Sequence, residues 1–252
     1  MTIAEKLTAI AENMKQMIDA GKQAEYDRFW DDYQQNGDPD GYEGAFAGQR
    51  WNSYNWKPKY PIKLNGRTYL SSYRCMFQYF DRGCSNPPLE LPEGTIDFTY
   101  GTRMQSMFEN SNISLVEMNV IPQGSGTHDM TGAFRSTDIT SRRLHTVKLG
   151  VSESTIFSQT FTNTSELKNV SFVEGSVIGK NIDFQHSVNL TKASIENILA
   201  VLSTTTSGLT LTLSKAAVNN AFETATDAAD GASSQAWNDL IATRANWTIS
   251  LI

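Results

Sequence analysis

One spacing returns along the middle of this chain and limits what it can fold into. Leu115-x-x-Met118-x-Val120 is followed by Leu144-x-x-Val147-x-Leu149, then Leu167-x-x-Val170-x-Phe172, then Leu190-x-x-Ala193-x-Ile195. The leading leucines are 29, 23 and 23 residues apart. An aromatic precedes each: Phe108, Phe134, Phe161 and Phe184, at steps of 26, 27 and 23. Met104, Met130 and Phe157 lie four residues before the first three, whereas Lys180 stands before Phe184. Met76 and Phe80, with Leu89-x-Leu91, form a degenerate earlier copy.

A period of this length predicts a stacked architecture. L-x-x-V-x-V sends alternate side chains inward from a short strand. Apolar residues four apart share one face of a short helical turn. One such unit cannot bury its apolar side, but stacked neighbours can. Gly124, Gly150 and Gly175 follow the strands, where the chain must turn. The alternative, a β-sandwich of irregularly spaced strands, leaves the apolar pairs ahead of each strand unexplained.

Upstream, Ile3, Leu7, Ile10, Met14 and Met17 step by 4, 3, 4 and 3, which is a heptad seam. Leu7 and Met14 share one core position; Ile3, Ile10 and Met17 share the other. That arrangement favours trimers or tetramers over dimers. The pattern falters at Ala20-Gly21 and resumes with Tyr26, Phe29, Trp30 and Tyr33 at helical spacing. The seam reads as an oligomerising stalk; packing on its own domain is the alternative. "NGDPDGYEG" then resembles the start of a calcium loop, but Ala47 stands where the closing Glu belongs, so it reads as a helix stop.

After the repeat, Ile195, Ile198, Leu199 and Leu202 make a helical stripe, and "GLTLTLS" alternates like a strand. A polar, Ala-rich helical stretch and "NWTISLI" close the chain. This segment suits the covering of an open core edge.

Composition narrows the function. Hydrophobic residues are 39% of 252, and the net charge is −6, so no basic face for nucleic acid is expected. No apolar run is long enough to span a membrane. The start lacks a signal-peptide layout, so export by that route is not expected. Cys75 and Cys84 have no framework around them and read as reduced, part-buried thiols, with a disulfide between them as the alternative. His128, His145 and His186 lack metal-ligand spacing and read as surface or loop residues. No phosphate-cradling or nucleophile motif is present, so no catalytic residue, metal or cofactor is expected. Trp51, Tyr54, Trp56, Tyr60 and Tyr69 form an aromatic group that suits either a junction or carbohydrate stacking.

The M-x-x-x-F…L-x-x-V-x-V units resemble BspA-type leucine-rich repeats. The opening "MTIAEKLTAIAENMKQMIDAGKQAEYDRFWDDYQQNG", "FAGQRWNSYNWKPKYPI" and the ending "LTKASIENILAVLSTTTSGLTLTL…WNDLIATRANWTISLI" are similar to leucine-rich-repeat proteins of phages and prophages of Gram-positive bacteria. The resemblance implies a virion structural protein, a tail-tip or tail-fibre component that recognises a host-surface glycan or protein. Alternatives are a capsid-decorating or purely architectural virion protein, a bacterial surface adhesin and a polysaccharide hydrolase.

The expected fold class is therefore an α+β repeat: a coiled-coil-like helix, an irregular leucine-rich-repeat solenoid with short strands, and a C-terminal αβ cap. Residues 1–36 form the oligomerising or attachment helix, 37–74 an aromatic connector, 75–195 the solenoid and 196–252 the cap. The expected repeat core is Phe108, Leu115, Val120, Phe134, Leu144, Val147, Phe161, Leu167, Val170, Phe172, Phe184 and Leu190. The helix is expected to join other virion proteins and to assemble a homotrimer.

Overall fold

The computed structural model describes residues 2–36, 46–48, 62–63, 72–80, 88–124, 126–137, 144–222 and 234–252. The chain begins with α1 (Ile3–Asn36), one helix of 34 residues. Its start is a capping box. The Glu5 backbone N–H donates to Thr2 Oγ1 at 3.2 Å, and the Thr2 N–H donates to Glu5 Oε2 at 2.6 Å. The helix continues through Ala20-Gly21, where the apolar pattern falters, because an interior Gly costs only about 1 kcal/mol.

Short parallel strands follow. β1 (Ile62–Lys63) pairs with β3 (Ile96–Asp97). β2 (Leu89–Leu91), β4 (Ile113–Glu117), β5 (Thr146–Leu149) and β6 (Asn169–Phe172) make a four-stranded sheet in that order. β7 (Ile182–Phe184), β8 (Leu209–Leu213) and β9 (Trp247–Leu251) make a three-stranded one.

This corrects the expected fold class. Among the described residues the chain is an α+β arrangement of four helices with separate small parallel sheets, and not a leucine-rich-repeat solenoid. The ladder stops at β6. Leu190-x-x-Ala193-x-Ile195 is not a further strand: α2 (Lys192–Ala200) begins there, with Thr191 Oγ1 accepting from the Ser194 N–H. Ile195, Ile198 and Leu199 bury at helical spacing, so period 3.6 wins over period 2. Helix α2 also closes the β6 edge with side chains. Ser194 Oγ accepts from the Val170 N–H at 2.9 Å and donates to the Lys168 carbonyl at 2.7 Å, while Asn197 Nδ2 donates to the Val170 carbonyl. β7 joins β8 in the sheet that the C-terminal segment builds.

Register corrects two of the expected core residues. Val116, Val147 and Val170 face one another across β4, β5 and β6, and Leu115 lies opposite Thr146. The buried set on β4 and just after it is Ile113, Val116 and Met118, whereas Leu115 and Val120 are only partly buried. The spacing there is I-x-x-V-x-M, two residues earlier than the leucine suggests, because alternation lets a one-in-two pattern be read from either apolar start. Phe172 is also only partly buried. Leu144, Val147, Leu167, Val170 and Leu190 are buried.

The apolar pairs four apart lie on stacked turns, and not on helical turns. Tyr73, Cys75, Phe77 and Tyr79 donate their backbone N–H groups to the carbonyls of Arg103, Gln105, Met107 and Glu109. Met104, Ser106, Phe108 and Asn110 donate in turn to Asp129, Thr131, Ala133 and Arg135. Met130, Gly132, Phe134 and Ser136 donate to Ile156, Ser158, Thr160 and Thr162. Every second residue thus bonds to the next layer. This requires left-handed backbone at two places per layer: Cys75 and Tyr79, Ser106 and Asn110, Gly132 and Ser136, Gln159 and Asn163. Left-handed backbone costs a non-glycine residue about 1–2 kcal/mol, and it persists because the lateral bonds fix it on both sides.

Inside these layers runs a column of rings. Phe77, Phe108, Phe134, Phe161 and Phe184 stack with successive centroids 5.5, 5.5, 5.7 and 4.4 Å apart. Phe46 stacks on the other face of Phe77 at 5.3 Å, so the degenerate copy gives Phe77 to the column, where the sequence suggests Phe80. Phe134 has a ring on each face and is fully buried. Phe134→Ala should therefore cost about 3–5 kcal/mol in urea unfolding, and a loss below about 1 kcal/mol would mean that the column is not a core.

The C-terminal segment adds α3 (Lys215–Phe222) and α4 (Gln235–Ala242). Buried Trp237 on α4 packs on Phe222 at 5.2 Å. Arg244 ties this segment to α2, donating from Nε to the Leu199 carbonyl at 2.6 Å and from Nη2 to the Ala200 carbonyl at 3.0 Å.

Candidate functional site

Two features of the surface are candidates for function. The first is the seam on α1. Leu7, Ile10, Met14 and Met17 are all more than half exposed, Met17 by 75%, and neighbouring Ile18 is exposed as well. Ile3 opens the same helix. At 1.5 Å per residue α1 is about 50 Å long, and the exposed seam from Leu7 to Met17 runs along about 15 Å of it. The expected connector aromatics Trp51, Tyr54, Trp56, Tyr60 and Tyr69 lie outside the described residues, as do Cys84 and most of 37–74.

The second is a cleft of about 320 Å³ beside α2, between the end of the four-stranded sheet and the C-terminal sheet. It is lined by Glu153, Ser176, Val177 and residues 200–205. The loop after α2 curls round Glu153. Its Oε1 accepts from Ser203 Oγ at 2.7 Å, Thr206 Oγ1 at 2.8 Å and Thr205 Oγ1 at 3.2 Å. Each of these bonds goes to Oε1, and Oε2 makes no hydrogen bond among the described residues. The hydroxyls of Ser203, Thr206 and Thr205, with a smaller pull from Lys180, hold the carboxyl below its ordinary range, so Glu153 is a carboxylate at neutral pH.

The rim of this cleft is fixed from below. The Ser203 N–H donates to the Ile178 carbonyl, and the Ser203 carbonyl accepts from Trp247 Nε1 and Asn246 Nδ2. Ser203 Oγ accepts from the N–H groups of Thr205 and Thr206. Gly179 is required on the other side, since a Cβ there would lie 2.2 Å from Glu153 Cγ and 2.5 Å from the Glu153 carbonyl. The cleft lining holds no second carboxylate and no histidine, so its chemistry is hydrogen bonding and charge.

Elsewhere on the turn stack polar side chains join layers. Gln78 Nε2 donates to Glu109 Oε2 at 2.8 Å, Arg135 Nε donates to Glu109 Oε1 at 2.9 Å, and Arg135 Nη1 donates to Gln159 Oε1 at 2.8 Å. Burial works to raise the Glu109 pKa, but the bonds from Arg135, Ser106 and Gln78 outweigh it and the net shift is downward. This row ties neighbouring layers together and leaves little free valence for a ligand.

His128 corrects its expected surface place. It is buried, with Nδ1 3.3 Å from Thr155 Oγ1 and Nε2 3.3 Å from Met104 Sδ. His145 and His186 are partly buried. Among the described residues no group of three His, Cys, Asp or Glu could hold a metal ion, and no helix is long and apolar enough to cross a membrane.

Sequence reasoning missed Glu153 and its loop. The one local signal was the hydroxyl run Ser203 to Thr206, but its carboxylate partner lies 50 residues upstream of Ser203 and no spacing links them. No protein-family model, curated protein or solved structure matches this chain.

Proposed function

We propose that this chain is a structural component of a phage virion, a tail-tip or tail-fibre protein that self-associates through α1 and presents its body to a host-cell surface. The carrying observation is the exposed seam of Leu7, Ile10, Met14 and Met17 on a 34-residue helix. A row of exposed apolar side chains at heptad spacing is a site for a partner helix. The heptad steps favour a parallel trimer of α1, with the remaining length of the helix as a stalk. The resemblance of both termini to phage and prophage proteins supports the particle.

Light scattering tests the assembly. The full chain should have a mass near three times its 28.0 kDa. Leu7→Asp with Met14→Asp should return it to one chain without changing thermal unfolding of the body, since a trimer would then bury three like-charged carboxylates in each of two seam layers. A monomeric wild type would overturn the assembly. Added protein should also block adsorption of the particle that carries it; an unaffected adsorption rate would make the protein architectural.

A further inference from the structure

The cleft beside α2 has the chemistry of a sugar-binding site. Its carboxylate is half used: Oε1 of Glu153 is saturated by three hydroxyl donors, and Oε2 is left to accept from a ligand. A metal ion would need more charge than one carboxylate supplies, and no His, Cys or further acid lines the cleft. The walls combine Ser176 and Thr204 with the apolar side chains of Val177 and Val201. Hydroxyl donors for the carboxylate and a C–H face for the valines are found together on a pyranose ring. A volume of about 320 Å³ lies at the lower end for a small-molecule site, which fits one such ring and not a folded partner.

The site is also organised in advance. Ser203, Thr205 and Thr206 are tied to Glu153, and Asn246 and Trp247 hold their loop from the strand below. The side chains at the rim therefore need no reordering when a ligand enters, and ordering is a main cost of binding.

We propose that this cleft binds a single glycosyl unit, with a ring hydroxyl donating to Glu153 Oε2 and the ring's C–H face against Val177 and Val201. The receptor reading bears only on where such a sugar is found, namely at the end or in the repeat of a host-surface polysaccharide.

The test uses the full chain and methyl glycosides of glucose, galactose, mannose, rhamnose, N-acetylglucosamine and N-acetylgalactosamine, titrated by saturation-transfer NMR. At least one should bind saturably. Glu153→Gln keeps an amide oxygen for the three hydroxyls but puts an N–H donor where Oε2 accepts, so affinity for that sugar should fall at least tenfold while the melting temperature holds. Val177→Trp, which fills the cleft from the other wall, should abolish binding independently. Absence of saturable binding to every glycoside, or equal affinity of Glu153→Gln, overturns the proposal. Attachment of fluorescent protein to Gram-positive cells separates the two readings. Attachment that survives Glu153→Gln leaves a receptor role and removes the cleft from it; sugar binding without attachment to cells leaves the cleft and removes the receptor role.

Discussion

Gly150→Ala should lower the stability of the body by about 3 kcal/mol or more, seen as a fall of about 10 °C in melting temperature. A Cβ at Gly150 would sit 1.9 Å from the Val120 carbonyl oxygen, 2.6 Å from its carbon and 2.9 Å from the Ile121 nitrogen. All three are backbone atoms, so no rotamer change relieves the collision. Neither segment can move freely. On one side the Met118 N–H donates to the Lys148 carbonyl at 2.8 Å, and on the other the Val173 N–H donates to the Leu149 carbonyl at 2.9 Å. Separation of the two segments breaks the bonds that flank the four-stranded sheet. Gly175→Ala is the control. It has a φ of 82°, and the nearest atom to its Cβ would be Ile121 Cδ1 at 3.7 Å, so it should lose only the left-handed preference, about 1–2 kcal/mol. Equal losses at the two glycines would mean that close approach is not the reason for Gly150.

Acidification should destabilise the fold through His128. Burial depresses its pKa from 6.5 to about 4, and the nearby Asp129 charge offsets this only in part. The unfolded chain therefore binds a proton that the folded one refuses. The contribution of His128 is fully present above about pH 6.5, is lost as pH falls toward about 4, and does not change further below that. The loss over the window is about 3 kcal/mol, at up to about 1.4 kcal/mol per pH unit. Urea unfolding of wild type and His128→Gln at pH 7.5, 5.5 and 4.5 checks it. The two curves should converge as pH falls, because the variant carries no group to titrate there. Between pH 6.5 and 5.5 the carboxylates Glu109 and Glu153, both shifted downward, remain charged, so the difference between the chains reports the histidine. Parallel curves would mean that His128 is hydrated in the folded protein.

The local pattern of the chain was readable because it depends on neighbours in sequence. Alternation on Val147 and Leu149, the four-residue step from Met130 to Phe134 and the heptad steps of α1 are each set within a few residues. The extension of that pattern into a solenoid was wrong where competing local signals met. At Thr191 an N-cap followed by Ile195, Ile198 and Leu199 made a helix of what the repeat spacing offered as a strand. The short helical turns expected from the four-residue steps are instead turns with left-handed backbone at two positions four residues apart in each layer. Nothing in Cys75, Tyr79, Ser106 or Gln159 announces positive φ, since Asn and Gly are the residue types that usually do.

By itself, the sequence determined which kinds of face each segment has: an apolar seam along residues 3–17, rings and aliphatic residues at recurrent positions from Phe108 to Leu190, and a hydroxyl run at residues 203–206. Only the tertiary structure decided how those faces are matched. It set Val116 rather than Leu115 against Val147, gave β7 to the C-terminal sheet, buried His128 between two layers and brought Glu153 to Ser203. The reason is physical. Periodicity fixes the direction of a side chain relative to its own backbone, whereas register, close approach and burial depend on chain segments many residues away, whose positions are set by the packing of the whole core.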